Sequence, residues 1–154
     1  MVNQSLQKNL NPEKHDSMPL VNYINNIYPL RAEIVQFVLD KTYFRKLPKG
    51  KYLLKPGEIC EHYYYIHKGV LRSFMKFGTK EITVWINPEN EITTAIRSMS
   101  NSKPADEYIQ AIEDCELVVI PFGAMQEVYE KFPEMNMVGR KLLEEYYAGS
   151  EERV

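Results

Sequence analysis

Three histidines, two cysteines and a run of three tyrosines are the residues whose types could carry chemistry. His62 and His67 are five positions apart, so on one strand they point to opposite faces. His15 lies in a polar leader. A metal site needs three or four converging donors, and Glu61-His62 with His67 does not supply them. Cys60 stands between Ile59 and Glu61, and Cys115 between Asp114 and Glu116. Acidic neighbours oppose the thiolate, the reactive form, so both read as packing or turn cysteines. They are also too few for a disulfide framework or an iron–sulfur cluster. Tyr63, Tyr64, Tyr65 and Trp85 could stack bases, but no basic stripe accompanies them, so core packing is expected. No Ser/His/Asp set, phosphate-cradling glycine loop or paired-carboxylate motif stands out, and no enzyme activity is expected.

The elements that must position these residues come from a chain of 154 residues, 44% hydrophobic, with a formal net charge of −2. That size and apolar content suit one domain with a real core. The charge leaves no concentrated basic surface for nucleic acid. No apolar run is long enough to span a membrane, and Met1 to Asn11 lacks the apolar centre of a signal peptide. A cytoplasmic location is the expectation.

Residues 1–18 read as the polar leader. Ser17 is expected to cap a helix with Pro19 in its first turn and Leu20, Tyr23, Ile24 and Ile27 at helical spacing. Pro29 breaks it. A second helix runs from near Leu30 to Lys41, with Ile34, Phe37 and Val38 on one face. From Lys51 to Ile120 short β-prone runs alternate with glycines at Gly50, Gly57, Gly69 and Gly78, which mark tight corners. Tyr63 to His67 and Val70 to Phe77 are strands, and Phe77-Gly78-Thr79 is a hairpin turn into a strand bearing Ile82, Val84 and Ile86. Asn87 to Glu107 lacks periodicity, apart from a short helix over 94–99, and loops that long are often functional. Strands resume at Tyr108 to Ile112 and at Glu116 to Ile120. After Pro121 the pattern turns helical, with Met125, Val128, Tyr129 and Phe132 on one face. Beyond Pro133, Met135, Val138, Leu142 and Tyr146 form an apolar stripe near coiled-coil spacing.

Lys49-Gly50, Pro56-Gly57-Glu58, Tyr65-Ile66-His67-Lys68-Gly69-Val70-Leu71 and Ala111 to Ile120 together resemble the cyclic nucleotide-binding domain of Crp/Fnr-type transcription regulators. The resemblance covers roughly Leu30 to Tyr147. It implies a mainly β fold with flanking helices: a double-stranded jelly roll over 19–133, N-terminal helices, and a C-terminal dimerisation helix over 134–154. Haem sensing occurs in that family, which would make His62 or His67 an axial ligand. The family's phosphate-binding cassette carries Gly-Glu-Leu and, further on, an arginine with a hydroxyl neighbour. Here the first segment is Thr93-Thr94-Ala95, after Glu91-Ile92, and the arginine pair aligns with Ala105 and Asp106. An aspartate near a cyclic phosphate repels it, and the compensating guanidinium is gone. Arg97 and Lys103 are the remaining loop cations.

The resemblance therefore implies the effector-sensing and dimerisation domain of a Crp/Fnr-like regulator, with an unidentified small-molecule effector, no metal or other cofactor, and no cyclic AMP. Its pocket is expected between the 91–106 loop, residues 70–74 and residues 82–84, capped by the exit helix. The expected partner is a second copy, paired through Met135, Val138, Leu142 and Tyr146. DNA contact would need a helix-turn-helix that the residues after Pro133 are too short to hold. Two alternatives remain: a small metal-dependent cupin-like enzyme, and a cyclic-nucleotide binder with a rearranged cassette.

Overall fold

A computed structural model describes residues 17–152; the polar leader through Asp16, with His15, lies outside them. Two helices open the described chain, α1 (Met18–Ile27) and α2 (Ala32–Lys41). Leu20, Val21 and Ile24 of α1, and Ile34, Val35 and Val38 of α2, are buried, as their helical spacing requires. Ser17 does not cap α1 through its side chain. Its backbone is already helical, and its carbonyl accepts the first turn's N–H groups from Leu20 and Val21.

Eight strands follow: β1 (Tyr43–Leu47), β2 (Tyr52–Leu54), β3 (His62–Lys68), β4 (Leu71–Phe77), β5 (Lys80–Asn87), β6 (Ile92–Thr93), β7 (Tyr108–Ala111) and β8 (Cys115–Pro121). They pair antiparallel into two sheets of order β1-β8-β3-β6 and β2-β7-β4-β5. Interleaving strands in this way makes a jelly roll. The short helix α3 (Ile96–Asn101) interrupts the connection from β6 to β7, and α4 (Phe122–Lys131) and α5 (Met135–Glu152) close the described chain.

β1 was not expected, because Tyr43-Phe44-Arg45-Lys46-Leu47 alternates weakly and is mostly exposed. Its order comes from pairing along β8, Tyr43 opposite Val119 through Leu47 opposite Cys115. The Phe77–Lys80 hairpin is as expected, with Gly78 at φ +64° in the turn. At Gly69 the backbone φ is +98°, and an added Cβ would lie 2.6 Å from Cys115 Sγ and 2.7 Å from the Asp114 carbonyl oxygen. Only glycine fits that corner, where the turn after β3 crosses the start of β8.

Two cores result. Inside the roll, Tyr64, Ile66, Leu71, Ile109, Leu117 and Val119 meet Met99 of α3. On the outer face of the first sheet, Tyr65, Val118 and Ile120 pack beneath α1, α2, α4 and the start of α5. Alternation along β3 therefore sends Tyr65 and Tyr63 towards the helices and Tyr64 and Ile66 into the roll. A strand buried on both faces explains the unbroken run Tyr63-Tyr64-Tyr65-Ile66.

Candidate functional site

The 88–107 connection divides into two halves with different surroundings. In its second half, Ala105 is buried and makes a reciprocal backbone pair: its N–H donates to the Glu58 carbonyl at 2.8 Å, and its carbonyl accepts from Gly57 at 2.9 Å. The Ser98 hydroxyl accepts from the Cys60 N–H at 2.8 Å and donates to the Lys103 carbonyl at 2.5 Å. These bonds clamp α3 and the loop after it to the β2–β3 connection. Lys103, Asp106 and Arg97 are exposed. Burial and the neighbouring Asp106 charge push the Glu107 carboxyl above its ordinary range, against the pull of Arg97. Ala105 thus presents a buried methyl, and the two carboxylates that follow it, Asp106 and Glu107, raise the cost of seating an anion beside them.

The first half lines a groove of about 620 Å³ beneath α5. Glu91, Ile92, Thr94 and Ile96 line it from the loop, together with Tyr63 of β3, Tyr129 of α4 and Tyr23 of α1. Arg140, Leu142, Leu143, Glu145 and Tyr146 form the α5 side. Trp85 of β5 stacks on Tyr146 with ring centroids 5.3 Å apart and planes 18° apart. The Tyr23 hydroxyl donates to Glu145 at 3.3 Å. At the base of the same helix, Arg31 is ion-paired with Glu134. The contacts from Trp85 and Tyr23 tie the groove-facing stretch of α5 to the roll and to α1.

The residues expected to wall one pocket are not brought together. Thr93 is buried in β6, opposite Tyr64, and is a strand residue. Ala105, Asp106 and Lys103 lie in the clamped half, away from the groove lining. Phe74 lies on the outer face of its sheet, stacked on Tyr108 at 4.7 Å and covered by Arg72 at 4.0 Å. Ile82 and Val84 are 43% and 52% exposed, because β5 is an edge strand with both faces open over most of its length. Of the expected site residues, Glu91, Ile92 and Thr94 do line the groove, and the exit helix does cap it. The tyrosine run divides between the cores, but Trp85 is a groove residue and not a core one. Tyr23 and Tyr129 carried no sequence signal beyond helical spacing. A Trp facing a Tyr 61 positions later, Tyr146, is visible only once β5 and α5 are placed.

The stripe on α5 also resolves differently. Met135 and Val138 are 3% and 2% exposed in the chain's own helical core, Leu142 packs against that core, and Tyr146 is held by Trp85. Burial within one chain removes Met135 and Val138 from any surface a second copy could reach. Leu143 and Tyr147 are 56% and 63% exposed on α5.

The chemistry open to the other candidates is limited. Burial, then Glu113 and Asp114, push the Cys115 thiol up, despite its hydrogen bond to the Val70 carbonyl. Among the described residues, no three His, Cys, Asp or Glu side chains converge as a metal site, and no helix is long and apolar enough to cross a membrane.

A family model described as the cyclic nucleotide-binding domain matches residues 44–132. No curated protein matches. Among solved structures, a cyclic nucleotide-binding domain from Methylobacillus flagellatus KT superposes with a TM-score of 0.74 at 16% identity, over 94% of this chain and 86% of that one. The sensor domain of the transcriptional regulator DNR from Pseudomonas aeruginosa gives 0.69 at 15% identity, over 92% and 94%. The catabolite activator protein of Thermus thermophilus gives 0.63 at 20% identity, over 84% of this chain and 61% of that one. Identities this low establish the shared fold alone.

Proposed function

The chain belongs to the cyclic nucleotide-binding domain family, and from that premise we propose that it is the effector-sensing domain of a Crp/Fnr-like transcription regulator. It acts by binding and not by catalysis. Its effector occupies the groove between the first half of the cassette loop and α5. A cyclic phosphate is not its ligand, because Ala105 and Asp106 stand where a guanidinium and a hydroxyl would hold the phosphate.

The observation that carries this reading is the Trp85–Tyr146 stack. It joins the sheet to the middle of α5 across the groove mouth. A ligand entering there changes the contacts of both, and so biases α5 between two arrangements on the roll. The base of α5 stays fixed by Met135, Val138 and the Arg31–Glu134 pair, so motion is confined to the helix beyond Leu142. Second copies pair through the exposed side of α5 at Tyr147, and the helix movement passes to whatever the partner helices carry.

Hydrogen exchange tests the coupling. Tyr146→Ala removes a ring contact of about 0.5–1.5 kcal/mol. Amide exchange in α5 beyond Leu142 is expected to accelerate by about two- to tenfold, with the emission of Trp85 shifted to the red. Unchanged exchange in that segment would overturn the coupling.

A further inference from the structure

The groove has a composition that selects among ligands, and this selection rests on the effector reading above. Five aromatic rings face it: Tyr23, Tyr63, Trp85, Tyr129 and Tyr146. Aromatic faces carry negative quadrupole charge and attract cations, most strongly in desolvated surroundings. Two carboxylates, Glu91 and Glu145, also line it. Among the described residues, the single guanidinium on the lining is Arg140, which makes an exposed pair with Glu144 at 3.6 Å along the same helix. The side chains of Ile92, Ile96, Met125 and Leu142 supply apolar surface for the rest of a ligand. The Tyr23 phenol is pushed up first by burial and then by Glu145, with Glu91 adding to the effect. The groove therefore disfavours added negative charge.

We infer that the groove takes a lipophilic organic cation, an aromatic body bearing a quaternary or protonated nitrogen, held by the Trp85, Tyr146 and Tyr23 rings with Glu145 as counter-charge. The apolar body fills the end near Met125 and Leu142. The nitrogen lies towards the mouth, where Glu145 is solvent-exposed and can meet it without being buried alone.

Trp85 is the only tryptophan of the chain, so its fluorescence reads the groove directly. Three probes of similar size differ in charge: benzyltrimethylammonium, benzyl alcohol and phenylacetate. Saturable quenching by the cation is expected, at least about threefold tighter than by the alcohol, with no saturation by phenylacetate. Glu145→Gln changes an exposed position and keeps a carbonyl oxygen that can accept from the Tyr23 hydroxyl, and an unchanged thermal transition checks that the fold is intact. The variant is expected to bring the cation's affinity to within about twofold of the alcohol's. Saturation by phenylacetate as tight as by the cation would overturn the ligand class while leaving the groove as the effector site. An unchanged cation affinity in Glu145→Gln would overturn the counter-charge and with it the inference. Quenching by none of the probes would also overturn it, and the effector reading would still be judged on the exchange of α5 in Tyr146→Ala.

Discussion

Glu107, at the end of the clamped half of the loop, has a measurable electrostatic signature. Its folded-state proton affinity is raised by burial and by Asp106. A carboxyl with a raised folded pKa favours folding while it is protonated, and that contribution is lost as pH rises from the ordinary carboxylate value through the raised one. Glu107→Gln should therefore raise the urea midpoint at pH 7 and leave it nearly unchanged at pH 4. Equal effects at both pH values would mean that the carboxyl is not perturbed. Gly69 is the second residue with a sharp consequence. Gly69→Ala places a Cβ against Cys115 and Asp114 at positive φ, and should cost about 1–3 kcal/mol in urea denaturation. That corner was legible in the sequence, since Lys68-Gly69-Val70 separates two β-prone runs. The packing of Asp114 and Cys115 against it was not, because those contacts join positions 45 and 46 apart in the chain.

At the scale of elements, α5 shows where periodicity informs and where it misleads. The stripe Met135, Val138, Leu142 and Tyr146 was readable as one apolar face, and it is one. Its spacing suits a coiled-coil seam and a helix lying on its own domain equally well, and only tertiary placement decides between them. With Met135 and Val138 in the helical core, Val138→Asp should leave an unpaired buried charge and unfold the domain, visible as a lost cooperative thermal transition. Tyr147→Glu should instead leave the transition intact, and light scattering should report a monomer in place of the proposed dimer. A dimer that survives the introduced charge would remove the exposed side of α5 as the contact. β5 is the complementary case. Ile82, Val84 and Ile86 alternate as a half-buried strand should, yet they stay exposed because, among the described residues, no further element packs over them. β1 was missed for the opposite reason: its order is supplied by β8 and not by its own side chains.

At the scale of the whole molecule, the glycine-cornered roll with helices before and after it was legible from Gly50, Gly57, Gly69 and Gly78 and from the apolar runs between them. The site was legible only in part. Glu91, Ile92 and Thr94 reach the groove, whereas Ala105 and Asp106 are drawn off by the clamp to Gly57 and Glu58. Sequence alignment assigns residues to a cassette by position, while their distance from a ligand depends on how a twenty-residue loop is tied down. The proposed function depends on Ala105 and Asp106 replacing the residues that would hold a cyclic phosphate. Calorimetric titration of the folded chain with cyclic AMP and cyclic GMP tests that most directly. The expected result is no saturable heat up to millimolar nucleotide; saturable binding in the micromolar range would contradict the reading of Ala105 and Asp106 and restore the ordinary ligand of the fold.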